Sequence, residues 1–356
     1  MKVFFGFILL ATLAVAAIGC GGKSDNLPKA SGISGDMYVV MDSIQWKGEL
    51  GKVVDSLFSA EMEGLPRAEP IFNMRWVDPR KLNFVLKQRR NLIFVMSLDQ
   101  KSEGATVVRR LFTPSSVEKI RSQEDLYVET KSDLFATGQE VMFLFGKTQG
   151  ELISNIRKGG KNLVEFFNIK ERERLEKSLL KSGQVKGVGE WLQKNFQVSI
   201  SIPFGYKLVQ NENDFVWVRQ INIADDKDIF IARKNYTSEK QFSKDSLIRF
   251  RDEVCRKYLF EDPEIADSYL VTEMLPFVPV QTRTISFNGH YAVEMRGLWR
   301  TNNKSMGGPF VAYAMTDEST GKFYYIEGFT FSPSKNQREI MRELETILMT
   351  FRMNGK

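Results

Sequence analysis

The sequence predicts an α+β protein of two domains, each a mainly antiparallel sheet with packed helices. Its 356 residues are too many for one ordinary domain, and a hydrophobic content of 42% is enough for sizeable cores. Apolar strands and amphipathic helices fall into two series, which we divide into domains at 36–185 and 186–356. In the second series, helices flank antiparallel hairpins, and this pattern defines the α+β class.

The N-terminal segment 1–19 has the form of a bacterial export signal. Lys2 precedes an apolar run from residue 3 to residue 18, and small residues lead into Cys20. A cysteine directly after the small residues resembles a lipobox, which implies cleavage before Cys20 and a lipid on its thiol. The run is shorter than the ~20 apolar residues of a comfortable membrane span. Lipidation is therefore favoured over plain secretion and over a retained anchor.

Residues 20–35 are predicted to form a flexible tether that starts at the lipidated cysteine. They are mostly small or polar and include several glycines and serines, a composition that cannot pack a core. One acid, Asp25, follows Cys20 closely, whereas surface-export signals of lipoproteins are typically richer in acids. The sequence therefore favours an outer-membrane location facing the periplasm over exposure at the cell surface.

The first domain is predicted to open with a buried strand at 37–41 and an amphipathic helix at 50–58. Two strands are expected at 83–86 and 91–98, on either side of the basic turn 87–90. Strands joined by so short a turn pair in the antiparallel sense.

A short helix, a strand and a longer helix complete the first domain. Thr113, followed by proline, is expected to open the short helix, and 140–145 reads as the strand. Thr148 and Glu151 form a capping box for the longer helix. The glycine pair 159–160 is expected to interrupt that helix, because glycine weakens a helix interior.

The second domain is predicted to begin with a brief helix at 188–196. Three strands are expected next, at 198–202, 215–221 and 229–234. Leu247, Phe250 and Val254 then lie at helical spacing, with Ser243 as the N-cap of an amphipathic helix.

Two hairpins and a helix end the chain. Strands 282–287 and 291–299 flank an Asn-Gly pair, the strongest short signal for a hairpin. A second hairpin is predicted from strands 309–315 and 322–331. The last helix is expected to start at Ser334, with Gln337 completing a capping box, and to pack its apolar face on the sheet. This order of elements resembles the photosystem PsbP-like α-β-α sandwich.

The sequence holds few side chains for the commoner kinds of catalysis. His290 is the only histidine, and Cys255, expected to be a buried inert thiol, is the only cysteine beyond Cys20. These counts exclude a disulfide within the mature chain and zinc sites of the usual His/Cys kind. Glycine-rich phosphate loops and the Gly-x-Ser-x-Gly nucleophile motif are absent. We therefore predict no metal, no cofactor and no catalytic residue, while 44 acids leave a carboxylate pair open.

The net charge of +6 is concentrated in the window 155–186, which contains nine Lys or Arg residues and four Glu residues. In an exported protein such a window would meet anionic lipids or glycans, and we expect no nucleic-acid partner. The alternative is an ordinary solvated helical face.

A stretch of unusual composition, 295–310, begins within the first hairpin. Arg296 and Arg300 share one face of the predicted strand, because side chains alternate along it. Arginines with neighbouring amides can hold a carboxylate or a phosphate. We name as the arginine patch the five residues of this candidate anion- or partner-binding site: Arg296, Trp299, Arg300, Asn302 and Asn303.

A structural interpretation of the same stretch stays open. Glu294 lies on the same strand face as Arg296, so the two side chains can form an internal ion pair. Trp299 takes the other face and is typical of a core residue. The glycine pair 307–308 is expected to permit a backbone turn.

The C-terminal region also resembles a known family. The resemblance rests on four segments: Leu-Trp-Arg at 298–300, Met-Gly-Gly-Pro-Phe-Val-Ala-Tyr at 306–313, Glu-Gly-Phe-Thr-Phe-Ser-Pro at 327–333 and the helix 342–351. They are similar to the domain of unknown function 4837 family (DUF4837), which are envelope lipoproteins of Bacteroidota. The resemblance extends over nearly all of the chain from residue 34. It implies a lipid-anchored envelope protein and brings no reaction, ligand or catalytic residue.

These observations favour a non-catalytic binding or envelope-assembly module. Its expected partners are the membrane, reached through the lipid, and another envelope protein or an anionic glycan or lipid. A carboxylate-based envelope enzyme and a purely structural scaffold are the alternatives. A deep pocket with perturbed carboxylates would favour the enzyme, and a flat apolar surface would favour a protein partner.

Overall fold

A computed structural model describes residues 27–222, 225–259 and 268–353. The predicted signal segment, Cys20 and the first part of the tether lie outside the described residues. The described chain divides into two compact units. One comprises 27–60 and Phe72–Lys170, and the other comprises Glu61–Ile71 and 171–353. The division falls inside a helix, whereas the sequence placed the domain boundary at 185/186.

The strands of the first unit are β1 (Asp36–Met41), β2 (Asn73–Val77), β3 (Asn91–Ser97), β4 (Val128–Ser132) and β5 (Glu140–Gly146). Its helices are α1 (Ser43–Lys47), α2 (Glu49–Phe58), α3 (Phe84–Lys87), α4 (Glu103–Arg109) and α5 (Pro114–Ser122), and α6 (Gln149–Leu179) begins in it. A 3-10 turn occupies Pro79–Lys81. The sheet order is β2-β1-β3-β5-β4. β1 runs parallel to β2 and β3, β3 runs parallel to β5, and β4 is antiparallel to β5.

The sheet of the first unit is therefore mainly parallel, and the expected antiparallel sheet is wrong. The predicted strand at 83–86 is the helix α3, whose first turn is capped by the Asn83 side chain, 3.0 Å from the backbone nitrogen of Leu86. Helical segments thus join β1 to β2 and β2 to β3, which is how parallel neighbours are connected. β3 and β5 are buried along their whole length, as strands covered on both faces are.

Helix α6 runs without interruption through the glycine pair at which a break was predicted. A Cβ atom on Gly159 would collide with the hydroxyl of Tyr127, and one on Gly160 would lie 2.7 Å from Cδ1 of Leu57. The glycines therefore permit close packing of the helix within the first unit. A long helix tolerates their cost of about 1 kcal/mol each.

The strands of the second unit are β6 (Val198–Ser199), β7 (Lys207–Glu212), β8 (Phe215–Ile221), β9 (Asp226–Asn235), β10 (Leu270–Glu273), β11 (Gln281–Phe287), β12 (His290–Thr301), β13 (Gly307–Asp317), β14 (Lys322–Phe331) and β15 (Arg352–Met353). Its helices are α7 (Lys186–Phe196), α8 (Lys244–Tyr258) and α9 (Arg338–Leu348), with 3-10 turns at Leu180–Ser182 and Glu239–Phe242. The main sheet is antiparallel in the order β10-β12-β13-β14-β9-β8-β7, and β11 also pairs with β12. β6 and β15 form a separate pair.

Helices cover both faces of the main sheet of the second unit. On one face, α7 and α9 contribute Leu192 and Leu344 to a core that includes Tyr313. On the other face, α8 contributes Leu247 to a core that includes Trp299. The second unit is therefore an α-β-α sandwich with an antiparallel middle layer, as the order of elements predicted. The likeness to the PsbP-like fold itself stays a prediction.

Both predicted hairpins are present in this sheet. In the first, Asn288 and Gly289 have φ angles of 51° and 88°, left-handed values that these two residue types tolerate and a two-residue turn requires. The N-caps predicted at Thr113 and Ser243 are confirmed, since both side chains accept a hydrogen bond from the first turn of their helix.

Helix α9 begins later than predicted, and the expected capping box from Ser334 is wrong. The carboxylate of Glu69 accepts hydrogen bonds from the backbone nitrogens of Gln337 at 2.7 Å and Arg338 at 3.0 Å. Glu69 belongs to the Glu61–Ile71 segment of the same unit. A negative charge at a helix N-terminus is favourable, so this distant carboxylate replaces the local cap.

The strand predictions in the second unit differ from the structure in two ways. The expected strand at 198–202 is reduced to the two residues of β6, and the strands β7, β10 and β15 were missed. The side chains of β7 are almost all exposed, so the strand lacks the apolar alternation by which a half-buried strand is predicted. Among the described residues, no helix is both long and apolar enough to cross a membrane.

Candidate functional site

Arg296, the first member of the arginine patch, lies inside the second unit. Its Nε is 2.8 Å from Oε1 of Glu294, and its Nη2 is 3.0 Å from Oε2 of Glu345 on α9. The residue is 6% exposed. The ion pair with Glu294 that the sequence offered as an alternative is thus present. The second carboxylate that Arg296 contacts, that of Glu345, comes from helix α9, which packs on the sheet.

Glu294 accepts hydrogen bonds from a second arginine as well. Arg283 of β11, opposite Glu294 in the ladder, places Nε 2.8 Å from Oε1 and Nη2 3.1 Å from Oε2. Burial acts to raise the pKa of Glu294, but the charges and hydrogen bonds of Arg296 and Arg283 outweigh it and lower the pKa to about 2. The carboxylate is therefore ionised at neutral pH and bound between two cations.

The cluster extends to α6 through Glu345. Nη1 of Arg172 lies 3.1 Å from Oε1 of Glu345, so that carboxylate also contacts two arginines. The buried hydroxyl of Tyr313 has no hydrogen-bond partner among the described residues. Burial, and then the charges of Glu345 and Glu294, raise the pKa of Tyr313, which keeps its hydroxyl neutral.

Trp299 and the glycine pair of the arginine patch region are parts of the core and the sheet. Trp299 is 1% exposed and donates from Nε1 to the carbonyl oxygen of Thr330 at 3.3 Å. Gly307 and Gly308 begin β13 and pair with Arg300 and Trp299, so the expected turn at this glycine pair is wrong. A Cβ atom on Gly308 would collide with the backbone of the neighbouring strand, which explains the glycine.

The other members of the arginine patch lie toward the surface. Arg300 is partly exposed, and its Nε is 2.9 Å from Oε2 of Glu273 on the neighbouring strand β10. The Asn302 side chain accepts a hydrogen bond from the backbone nitrogen of Tyr269 at 3.0 Å. Asn303 is exposed and accepts from the backbone nitrogen of Ser305 at 3.1 Å. The structure therefore separates the buried Arg296 from an accessible group formed by Arg300, Asn302 and Asn303.

The accessible group borders an exposed apolar connection. Glu273, the partner of Arg300, is the last residue of β10, and the segment that follows it leads to β11. In that segment Met274 is 61% exposed and Phe277 is 77% exposed. We name Arg300, Glu273, Met274 and Phe277 the β10 edge surface. Mixed apolar and charged groups of this kind are typical of protein-binding surfaces.

A second buried ion network lies on the opposite face of the sheet, and the sequence analysis missed it. Arg251 of α8 pairs with Glu327 of β14, and neither side chain is exposed. The signal was a charged residue inside each apolar pattern. Arg251 lies among the apolar residues of α8, and Glu327 lies two residues from the core residues Tyr325 and Phe329.

The two residues most often used in catalysis are poorly placed for it. Cys255 is buried as predicted, and burial raises the pKa of its thiol, which keeps it unreactive. His290 is exposed at the start of β12. Within the described residues, no group of three or more His, Cys, Asp or Glu side chains could hold a metal ion.

Two family models match the chain, one in each half. The model described as Domain of unknown function (DUF4837) matches residues 187–350. The model described as Domain of unknown function (DUF8532) matches residues 30–180. The resemblance to DUF4837 is thus confirmed for the C-terminal half, while the N-terminal half matches a different family. No curated protein matches the chain.

Solved structures show only distant likenesses. The Ran-binding protein Mog1p of Saccharomyces cerevisiae is 7% identical, with a TM-score of 0.30, over 48% of this chain and 93% of that one. The lipid transfer and protein localization domain of human StarD13 is 12% identical, with a TM-score of 0.21, over 46% of this chain and 95% of that one. Structural similarity at these TM-scores gives no evidence about the function of this protein.

Proposed function

We propose that this protein, whose residues 187–350 match the model of the DUF4837 family, is a lipid-anchored, non-catalytic binding module of the bacterial cell envelope. The lipid is attached to Cys20, and the protein faces the periplasm from the outer membrane of a Bacteroidota cell. The apolar run that ends in small residues and Cys20 supports the anchor. The composition of the residues that follow Cys20 supports a flexible connection to the folded part. This connection is shorter than the predicted 20–35, because Pro28 and Ala30 are hydrogen-bonded through their backbones to Thr137 of the first unit.

The state of three carboxylates buried in the second unit supports binding over acid–base catalysis by these residues. Glu294, Glu345 and Glu327 each contact at least one arginine at 3.1 Å or less. A general acid or base needs a proton that it can exchange with a substrate in a cleft. Carboxylates held between arginines inside a packed sandwich instead fix its helices on its sheet.

The β10 edge surface is the observation that carries the proposal. Phe277 and Met274 are large apolar side chains with more than half of their surface exposed, and they follow Glu273, the ion-pair partner of Arg300, in the connection from β10 to β11. An exposed apolar group bordered by charges gives a protein partner both buried area and orientation. We propose that another envelope protein binds here.

Site-specific crosslinking in the native envelope tests this proposal. A photoreactive phenylalanine analogue at position 277 is expected to yield one discrete adduct with an envelope protein. Phe204 is the matched control, because it is a phenylalanine of the same unit with 69% exposure, outside the β10 edge surface. The adduct at 277 should be lost with Arg300→Ala and kept with Lys304→Asn, which removes an exposed positive charge from the neighbouring loop.

The outcomes are distinct. Equal adducts at 277 and 204, or no adduct at 277, would reject the β10 edge surface as a binding site. An adduct at 277 that survives Arg300→Ala would show that the contact does not use the charged part of this surface.

A further inference from the structure

A cleft of about 430 Å³ lies between α4 and α5 in the first unit. Three arginines and one glutamate are among its lining residues: Arg109, Arg110, Arg121 and Glu118. Phe112 and Val117 give it an apolar part. The cleft shares no residue with the arginine patch or the β10 edge surface, so it is independent of the function proposed above.

The apolar floor of the cleft is held in place by the core. Phe112 is 6% exposed, and its ring packs edge-on against Phe143 and Phe145, with centroid distances of 5.6 Å to each. Both of these rings belong to β5, the fully buried strand. A ring fixed in this way loses little conformational freedom when a ligand contacts the small part of it that reaches the cleft.

One of the three arginines is also held in place. Nη2 of Arg109 donates to the carbonyl oxygens of Leu98 at 2.9 Å and Gln100 at 2.8 Å. Carbonyl oxygens orient a guanidinium but carry no net charge, so its positive charge is not neutralised by these two bonds. The Nε of Arg109 is shielded from water and has no hydrogen-bond partner in the described part of the chain. The cleft thus has a fixed cation at its wall.

The other two arginines line the cleft from the surface. Arg110 is exposed, and Arg121, with 60% of its side chain exposed, lies 3.8 Å from the equally accessible Glu118. An exposed ion pair at that distance contributes about 0–1 kcal/mol, so it is readily exchanged for a better acceptor. With three arginines against one glutamate, the cleft carries an excess of positive charge.

We infer that this cleft binds an organic phosphate, in which a phosphate ester is attached to a small apolar group. Guanidinium groups recognise phosphate oxygens by paired, charge-assisted hydrogen bonds, and three of them suit a dianion better than a single carboxylate. The apolar group would lie against Val117 and Pro114 and contact the small accessible part of Phe112. The phosphate can come from a free metabolite or from the headgroup of a lipid, since the chemistry of recognition is the same.

Calorimetric titration of the full-length protein, purified from membranes in a neutral detergent, tests this inference. Phenyl phosphate is the free probe, dihexanoyl phosphatidic acid is the lipid probe, and phenyl glucoside is the uncharged control. We expect one or both phosphates to bind and phenyl glucoside not to bind. Binding of phenyl phosphate indicates a free ligand, and binding of phosphatidic acid alone indicates a lipid.

Two double variants with equal loss of charge locate the site. Arg110→Gln with Arg121→Gln should weaken phosphate binding at least about tenfold, because two charge-assisted bonds are lost. Lys119→Gln with Lys158→Gln removes two exposed charges of the same unit that do not line the cleft, and should leave binding unchanged. Arg110→Glu is a second, single change with the same expected loss.

The inference is overturned if neither phosphate binds, or if phenyl glucoside binds as well as phenyl phosphate. It is also overturned if both double variants weaken binding equally, since the effect would then come from net charge alone. Thermal unfolding of each variant, measured beside the titration, shows that the protein tested is folded.

Discussion

The guanidinium of Arg251 and the carboxylate of Glu327 form an ion pair in which neither side chain is exposed to solvent. Nη2 of Arg251 lies 2.8 Å from Oε1 and Nε lies 2.9 Å from Oε2 of the glutamate. Nη1 donates to the hydroxyl of Thr272 at 3.2 Å, and the hydroxyl of Tyr325 donates to Oε2 at 2.6 Å. Because both charges have several partners, the network fixes α8 at one position on the sheet.

Removing the cation alone is expected to destabilise the second unit strongly. Arg251→Met leaves Glu327 buried without its counter-charge, and breaking a buried pair in this way costs about 3–5 kcal/mol. Arg251→Met combined with Glu327→Leu should recover much of this loss, because no charge is then left unpaired. Urea unfolding of the two variants measures the difference. A single variant that loses less than about 1 kcal/mol would contradict the role assigned to the pair.

Sequence patterns identified much of the second unit but not its ion pairs. The Asn-Gly hairpin and the helical spacing of Leu247, Phe250 and Val254 are local signals, and both are confirmed. Arg251 and Glu327 are separated by 76 residues, so their pairing depends on which face of the sheet α8 covers. A charged residue in each apolar pattern indicates burial, but only the topology shows which two charges meet.

Arg296 and Arg300 are expected to differ sharply on substitution. Arg296→Ala should cost about 3–5 kcal/mol in unfolding free energy, since it leaves Glu294 and Glu345 buried with fewer counter-charges. Arg300→Ala should cost about 1 kcal/mol or less, because its ion pair with Glu273 is partly exposed. Chemical unfolding of the two single variants measures this contrast. Equal and small losses would show that the cluster under α9 does not support the fold.

The contrast between the buried Arg296 and the partly exposed Arg300 shows how much of the arginine patch the sequence could predict. Strand alternation placed Glu294 and Arg296 on one face, which offered their ion pair as the alternative to an anion-binding site. Glu345 comes from the last helix and Arg283 from the adjacent strand, so their contribution depends on packing and on register. The burial of Arg296 could not be predicted without them.

The Glu294 carboxylate is expected to make stability depend on pH in acid. Its pKa is about 2 in the folded protein, below the ordinary value of 4.5 that it has in the unfolded chain. A lowered pKa means that the ionised form is stabilised by folding, so the contribution is present above about pH 4.5 and is lost as the pH falls toward 2. Glu294→Gln should therefore lower stability at pH 7 and flatten this part of the profile. Thermal unfolding between pH 7 and pH 2 measures it, and parallel profiles for the variant and the original protein would contradict the assignment.

The first unit shows where local patterns mislead. The segment 83–86 is apolar and short enough to read as a strand, yet Asn83 caps it as a helix, and the expected hairpin becomes a crossover. The apolar side chains of this segment are not core residues, since Phe84 is 72% exposed and Val85 is 55% exposed. A run of four residues is also too short for its periodicity to separate a strand from a helix. The glycine pair in α6 was wrongly predicted to break the helix. These glycines leave room for the side chains of Tyr127 and Leu57, and a local pattern does not show such tertiary contacts.

Truncation of the last helix tests the core beneath it. Leu344 is 0% exposed and packs in the core that α9 shares with the sheet. Leu344→Ala should therefore cost about 2–5 kcal/mol, and the partly buried Ile340, truncated in the same way, should cost less. Urea unfolding of both variants gives the comparison. A loss below about 0.5 kcal/mol at Leu344 would show that this face of α9 is not part of the core.

Replacing the sulfur-bearing side chain of Cys20 tests the proposed lipid anchor. Cys20→Ala is expected to release the protein from membranes and to leave its folded units intact, because the proposed lipid is held only by that sulfur and Cys20 precedes the residues that are hydrogen-bonded to the first unit. Cys255→Ala is the matched control, since that thiol lies on the buried face of α8 and should carry no lipid. Sedimentation of membranes after a high-salt wash separates the two variants, and circular dichroism of the released protein reports its folding. If the Cys20→Ala protein still sediments with the membranes, the apolar N-terminal run itself holds the chain in the bilayer, and the lipoprotein proposal is wrong.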